Sequence, residues 1–167
     1  MLQENYFEFM VKKKTTMKDL VIRSICLFVF IYFVTLGFMV MPIFWLGCVA
    51  TWIIYKQFIY PLTDVEYEYL LCDRQITVDK IMGQAKRKQL GVYDVSRIEI
   101  MAPENSYRLE PYAKKECKIN DFSGGLESKE YGTFIIFYEG NQKIVLDLPE
   151  EFVKMIQNCS PRKVFTD

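Results

Sequence analysis

The chain has 167 residues, with 21 basic and 21 acidic side chains, no histidine, and 51% hydrophobic residues. The lack of histidine removes the commonest general base of enzymes. The balanced charge also lacks the basic surface that general nucleic-acid binding requires. Composition therefore argues against a histidine-based enzyme and against a nucleic-acid partner.

The zero net charge hides an asymmetry between the two parts of the chain. Residues 1–60 carry six basic and three acidic residues, a net charge of +3, and the remainder carries 15 basic and 18 acidic residues, a net charge of −3. The first part contains the apolar region described below. The second is long enough for one small domain with its own core.

Residues 1–19 form a basic segment that contains Lys12, Lys13 and Lys14. Residues 5–16 read NYFEFMVKKKTT, with aromatic residues directly before the three lysines. One interpretation is a short interfacial helix with its lysines on anionic lipid head groups. The other is a topology signal with no lipid recognition.

An uncharged run from Ser24 to Tyr55 dominates the first part of the chain, and Pro42 interrupts it. A single straight helix of 32 residues would reach roughly 48 Å, which is too long for one untilted membrane crossing. Because proline breaks helices, the run predicts a transmembrane hairpin with spans at about 20–41 and 43–60. Gly37 and Gly47 would let the two helices pack closely.

Basic residues lie before the first span and near the end of the second, which predicts that both termini face the cytoplasm. A cleaved signal peptide is the competing interpretation, but it requires a shorter apolar core and a small-residue cleavage site. The run from Ser24 to Tyr55 contains no charged residue, which argues against a pump or channel built from this hairpin alone. The hairpin could still bind a protein partner or a second copy of the chain.

Residues 61–167 show the alternation of short strands, followed by one helix. We predict strands at 65–71, 76–78, 85–90, 97–100, 117–120, 133–139 and 143–148. Both faces of the strand at 133–139 are apolar, so we expect it to be central. The helix begins near Pro149 and carries an apolar stripe of Phe152, Met155, Ile156 and Cys159.

The order of these elements resembles a PH-like domain. A narrower resemblance is carried by six stretches, which in chain order are FMVKKKTTMKD, YEYLLCD, IMGQAKRKQL, IEIMAP, DFSGG and SPRKVF. Through these stretches and the hairpin, the chain resembles an uncharacterised family of small Gram-positive bacterial membrane proteins. The resemblance implies an α+β fold in a bacterial cell membrane: a two-helix transmembrane hairpin, then a PH-like antiparallel β-sandwich or barrel capped by a C-terminal amphipathic helix. It implies no established activity.

Two clusters are candidate binding sites. The first is Lys86, Arg87 and Lys88, which could bind anionic lipid head groups or form an ordinary solvated hairpin. The second comprises Tyr107, Arg108, Tyr112, Lys114 and Lys115, within a poorly patterned stretch at 104–128. Tyrosine and arginine are common at interaction hot spots, although disorder is an equal alternative for this stretch.

Other motifs carry less chemistry. The DFSGG sequence at 121–125 lacks the lysine and the helix of a phosphate-binding loop, so a turn is favoured. The five cysteines are odd in number and contain no C-x-x-C pair, which predicts reduced thiols and no zinc site. We predict no catalytic residue, cofactor or metal.

These patterns predict a non-enzymatic module that is anchored in the membrane and binds a protein, a peptide or an anionic lipid head group. The alternative is a structural accessory subunit that joins a larger membrane complex through its hairpin.

Overall fold

The computed structural model describes residues 6–112, 114–125 and 131–166. Within them the chain forms eight β-strands and four α-helices. The strands are β1 Tyr6–Lys12, β2 Val65–Cys72, β3 Gln75–Met82, β4 Lys86–Asp94, β5 Ile98–Pro103, β6 Lys118–Asp121, β7 Gly132–Tyr138 and β8 Gln142–Leu148. The helices are α1 Met17–Met39, α2 Trp45–Ile54, α3 Tyr60–Thr63 and α4 Glu150–Cys159.

The chain divides into two compact units, and the division does not follow the predicted boundary at residue 61. The hairpin unit contains Lys14–Val65 and Ile81–Arg87. The sheet unit contains the chain up to Lys13, Glu66–Lys80, and the chain from Lys88 onward. Residues before the apolar helices and residues after them therefore belong to one sheet unit.

In the hairpin unit, α1 begins at a capping box. The Asp19 backbone N–H donates to the Thr16 hydroxyl, and the Thr16 backbone N–H donates to the Asp19 carboxylate. These bonds satisfy backbone donors that lie at every helix start. The helix ends just before Pro42, which opens a short 3₁₀ turn at Pro42–Phe44. The predicted break at this proline is confirmed.

The second apolar segment is a continuous helical path with an unusual turn. A π-helical turn at Tyr55–Ile59 separates α2 from α3, and the Tyr60 N–H donates to the Tyr55 carbonyl. Pro61 follows directly. Because proline has no N–H and its ring clashes with the carbonyl four residues earlier, a regular α-helix cannot continue through this position. The wider turn accommodates the proline without ending the helix.

Glycines allow the two apolar segments to approach each other. A Cβ atom on Gly47 would lie 2.4 Å from Cδ1 of Phe33, and one on Gly37 would lie 2.8 Å from Nε1 of Trp45. Neither position can hold a larger residue without moving an aromatic ring. The predicted close packing at the two glycines is therefore confirmed, and it is packing within the hairpin.

Met17–Met39 and Pro42–Thr63 are long and apolar enough to cross a membrane. Only 6% of the most apolar window of each segment is buried. The core helix of a soluble protein would bury much more of its surface. Most large apolar side chains of this hairpin instead point outward.

Sheet 1 has the strand order β1-β2-β3-β4. Strand β1 precedes the apolar helices and pairs antiparallel with β2, which follows them, from Tyr6 opposite Cys72 to Lys12 opposite Glu66. Val11 is 1% exposed in this strand. The interfacial-helix interpretation of residues 5–16 is thus wrong for 6–12, because these residues supply an edge of the sheet.

Sheet 2 has the order β5-β7-β8-β6. As predicted, β7 is central and buried on both faces. Its neighbours β5 and β8 run antiparallel to it, but β6 pairs with β8 in parallel. The expectation of a purely antiparallel fold is wrong at this edge, because a connecting segment returns the chain to the far side of β8.

Helix α4 covers part of the core with Phe152, Val153 and Ile156, and the ring of Phe152 packs edge-on against Phe7 of β1 at 5.5 Å. The predicted stripe is confirmed for Phe152 and Ile156. Met155 and Cys159 are only partly buried, and Val153, which was not predicted, is fully buried. The first strand and the last helix therefore share one core.

We predict that a fragment of residues 61–167 is unstable, because it lacks β1 and exposes the edge of β2 to which β1 is hydrogen-bonded. Each fully buried apolar side chain contributes roughly 1.5–3 kcal/mol, and whole domains are stable by only about 5–15 kcal/mol. Thermal unfolding followed by circular dichroism should show no cooperative transition.

The matched control joins residues 1–13 to residues 64–167 through a flexible linker that replaces the apolar helices. This version should regain a cooperative transition. Cooperative unfolding of residues 61–167 alone would contradict the structural role of β1.

Candidate functional site

The Lys86–Lys88 cluster begins at the turn between β3 and β4. Gly83 and Gln84 form this turn with positive φ angles of 59° and 58°. The Gly83 N–H donates to the Asp64 carbonyl at 2.8 Å. A Cβ atom on Gly83 would lie 3.0 Å from Cα of Pro61. The turn is therefore fixed against the end of the second apolar segment, inside the hairpin unit.

This contact determines the surroundings of the basic cluster. Lys86 and Arg87 belong to the hairpin unit, whereas Lys88 belongs to the sheet unit. All three side chains are exposed on β4, an edge strand of sheet 1. The structure thus brings two of the three predicted residues together with the apolar helices.

Basic residues are concentrated in the hairpin unit. Six basic residues, Lys14, Lys18, Arg23, Lys56, Lys86 and Arg87, accompany only Asp19 and Asp64, a net charge of +4. Of the two acids, Asp19 caps α1 and Asp64 is 6% exposed. The surface charge of this unit is therefore almost entirely positive.

The three N-terminal lysines lie around the end of β1. Lys12 is its last residue and forms an ion pair of 3.9 Å with Glu66 on the adjacent strand. Lys13 and Lys14 are exposed in the short connection to α1. Lys12 is therefore paired within sheet 1, whereas Lys13 and Lys14 are the exposed members of this group.

The segment around Tyr107 packs against sheet 2. Residues Tyr107–Tyr112 form a 3₁₀ helix in which Leu109 is buried, and the Tyr112 ring lies 4.9 Å from that of Phe137. The segment adds to a hydrophobic cluster on the outer face of sheet 2. Tyr112 therefore serves as packing.

The basic residues of this segment have partners of their own. The Arg108 guanidinium lies 4.1 Å from the ring centroid of Phe165 and 5.2 Å from that of Tyr107. Lys115 pairs with Glu99 at 3.4 Å. Tyr107 is 66% exposed, and Lys114 is also exposed. Of the five predicted residues, these two present the most accessible surface.

The DFSGG segment joins parts of the sheet unit that are distant in sequence. The Gly124 N–H donates to the Asp147 carboxylate at 2.7 Å, and the Thr133 hydroxyl donates to the other carboxylate oxygen at 2.7 Å. A Cβ on Gly124 would lie 2.4 Å from Val11 and 2.7 Å from the Lys12 carbonyl oxygen. Sequence analysis favoured a turn and missed Asp147, because a single aspartate within an apolar strand carries no motif.

Tyr69 completes this junction. Its side chain is fully buried, and its hydroxyl donates to the Phe122 carbonyl at 2.7 Å. Burial raises the pKa of this phenol well above its usual value, and the nearby Asp147 raises it further, against the effect of a backbone hydrogen bond. Burial also raises the pKa of Tyr67, with a smaller contribution from Asp121.

A groove in the sheet unit has a volume of about 1030 Å³ and borders sheet 2 and α4. Among its described lining residues are the acids Glu104, Asp121 and Glu150 and the single base Lys154. Such a lining does not favour a phosphate. In the described part of the chain no three potential metal ligands cluster, and all five cysteines are free thiols.

A family model described as a bacterial PH-like domain (DUF6106) matches residues 3–166, nearly the whole chain. The chain belongs to this family. The PH-like fold implied by the sequence resemblance is thus confirmed, and the match extends across the apolar helices as well as the two sheets. No curated protein and no solved structure matches the chain. PH-like domains are generally non-catalytic binding modules, and their fold does not by itself identify a ligand.

We predict that the PH-like domain loses stability above pH 10 and that Tyr69→Phe makes this loss shallower. The unfolded phenol titrates near pH 10, whereas the folded pKa of Tyr69 is raised. The unfolded state therefore releases its proton first, and the free energy of unfolding falls as pH rises beyond the unfolded pKa.

The measurement is chemical unfolding of the full chain in mild detergent between pH 8 and pH 11. Tyr107→Phe is the matched control, since Tyr107 is 66% exposed. Equal pH slopes for the wild type and Tyr69→Phe would contradict this assignment. Tyr67 should leave some residual slope in the variant.

Proposed function

We propose that this protein is a membrane-anchored binding module without catalytic activity. Its two apolar helices cross the bacterial cell membrane, and both termini lie in the cytoplasm together with the PH-like domain. The pairing of β1 with β2 carries the proposal. Since these strands flank the apolar segments, both flanks must lie on the same side of the membrane.

The same pairing argues against a cleaved signal peptide. Cleavage after the first apolar helix would detach β1 from the chain that forms the rest of sheet 1. Val11 is almost completely buried in that sheet. The lysines before α1 support a cytoplasmic location for the shared side.

The topology can be tested with single cysteines and a membrane-impermeant maleimide. Cys72 is exposed in the PH-like domain, and Met41 is 61% exposed in the connection between the helices. With all other cysteines replaced by alanine, Met41→Cys should be labelled in intact cells whose outer surface the maleimide can reach. Cys72 should be labelled only after the membrane is opened or inverted. The reverse pattern would refute the proposed orientation, and labelling of both in intact cells would refute the anchor.

The ligand class that the surface supports best is an anionic lipid head group, bound by Lys86 and Arg87. These residues belong to the positively charged hairpin unit, and the Gly83 turn links their hairpin to the end of the second apolar segment. Each basic residue near an anionic membrane surface contributes roughly 1 kcal/mol. Two such residues are sufficient for an effect on the order of tenfold.

We expect backbone amides of residues 83–88 to exchange hydrogen more slowly in nanodiscs of anionic lipid than in zwitterionic ones. Lys86→Glu with Arg87→Glu should remove this protection. Lys154→Glu with Arg162→Glu is the charge-matched control on exposed positions and should retain it. Unchanged exchange in the first double variant would restrict binding to another ligand, such as a peptide.

Exposed Tyr107 and Lys114 remain the proposed surface for a protein or peptide partner. The alternative role, an accessory subunit assembled through the hairpin, receives no support from Gly37 and Gly47. Both glycines accommodate aromatic rings of the hairpin itself. A larger complex would have to use the outward-facing apolar side chains instead.

A further inference from the structure

A cavity of about 430 Å³ lies between the two apolar segments, wholly within the hairpin unit. Its volume falls in the range of roughly 300–1,000 Å³ that is common for ligand pockets. It is bounded mainly by Arg23, Leu27 and Phe30 on the first segment and by Thr51, Trp52 and Tyr55 on the second. The cavity thus combines an apolar wall with one cationic group.

Arg23 lies in the second turn of α1, close to the N-terminal end of this helix. Its Nε donates to the Thr63 hydroxyl at 2.9 Å. Within the described part of the chain, this is the only side-chain hydrogen bond that Arg23 makes to protein. Its two terminal guanidinium nitrogens are therefore available to a ligand. A guanidinium in this setting favours a phosphate, which it can bind through two parallel hydrogen bonds.

A second cation contacts one of the residues that line the cavity. The Lys56 ammonium is 5.6 Å from the ring centroid of Trp52 and 5.8 Å from that of Tyr60. The π turn that begins at Tyr55 widens the helix where it lines the cavity. Such turns are frequent at functional sites.

We propose that this cavity binds one anionic phospholipid of the cytoplasmic leaflet, with an acyl chain between the helices and the phosphate on Arg23. The inference rests on the proposed membrane anchor and assigns it a specific lipid. None of the residues that line the cavity is acidic. The lining itself therefore supplies no negative charge to Arg23, whereas an anionic ligand would.

A second copy is a poorer source of that negative charge. Residues 24–55 contain no carboxylate, so this stretch of another chain could fill the apolar part of the cavity but would bring no charge that neutralises Arg23. A zwitterionic lipid offers a phosphate, but it also carries a cationic group that Arg23 and Lys56 repel. An anionic phospholipid satisfies both the apolar wall and the charge.

The chain has two tryptophans, which permits a direct test. Trp52 lines the cavity, whereas Trp45 packs beside Gly37 at the other end of α2. In a Trp45→Phe variant of the full chain, the fluorescence of Trp52 should be quenched by brominated phosphatidylglycerol at about tenfold lower lipid fraction than by brominated phosphatidylcholine. Arg23→Gln should remove this preference, because a charge-assisted bond has roughly that value.

Three variants separate lipid binding from other roles of Arg23. Thr63→Val removes its protein hydrogen bond but keeps the charge, so the preference should remain, as it should in Arg23→Lys and in the control Lys18→Gln. Equal quenching by the two lipids, a preference that survives Arg23→Gln, or an unquenched Trp52 would each overturn the proposal. Quenching of Trp45 in a Trp52→Phe variant reports insertion itself, so failure of the membrane anchor is recognised separately.

Discussion

The hydrogen bonding of β1 to β2 constrains the whole molecule, because the chain between these strands is the complete apolar hairpin. Lys12 lies opposite Glu66, and everything from residue 13 to residue 65 must leave the sheet and return to it. Closing a flexible loop of this length would cost conformational entropy. Two packed helices joined by a tight turn bring their ends together already, so much less conformational entropy is lost when β1 pairs with β2. The hairpin therefore lowers the entropic cost of pairing β1 with β2.

The chain order adds a consequence for folding. Strand β1 is synthesised before the apolar helices and its partner afterwards, so sheet 1 cannot be completed until both helices have been made. Residues from later in the chain then fix the junction: Gly124 lies close to Val11, and the Phe122 carbonyl accepts a hydrogen bond from Tyr69. These contacts join residues distant in sequence, which is the kind of topology that folds slowly.

Much of this architecture could be predicted from the sequence. The strands from β2 to β8 follow from period-two alternation and turn residues, and the break in the apolar run follows from Pro42. The strand β1 was missed although Phe7, Phe9 and Val11 alternate, because Tyr6 and Met10 on the other face obscure the pattern. Its position before the helices also suggests a membrane role. No local pattern can indicate a partner that lies more than fifty residues away.

The candidate sites show the same limit. The cluster at Lys86–Lys88 is visible in the sequence, but its connection to the helices depends on a hydrogen bond from Gly83 to Asp64 and on the absence of a Cβ beside Pro61. Likewise, the tyrosines and basic residues of 107–115 suggested a binding loop. Packing of Leu109 and Tyr112 against sheet 2 shows that part of this pattern serves the fold.

The exposed basic residues on β4 have a second physical role besides lipid binding. This second role explains Lys88 better than it explains Lys86 and Arg87. Charged residues on an edge strand discourage pairing with other chains, since burying a lysine in a new sheet is costly. That explanation suffices for Lys88, which lies in the acidic sheet unit. It does not explain why Lys86 and Arg87 belong to a unit with a net charge of +4 and only two acids, one of them buried. Excess charge of one sign lowers the stability of a compact unit unless a counter-charge is present. In the proposed membrane-anchored arrangement an anionic membrane surface would supply that counter-charge, which accounts for the concentration of basic residues in the hairpin unit.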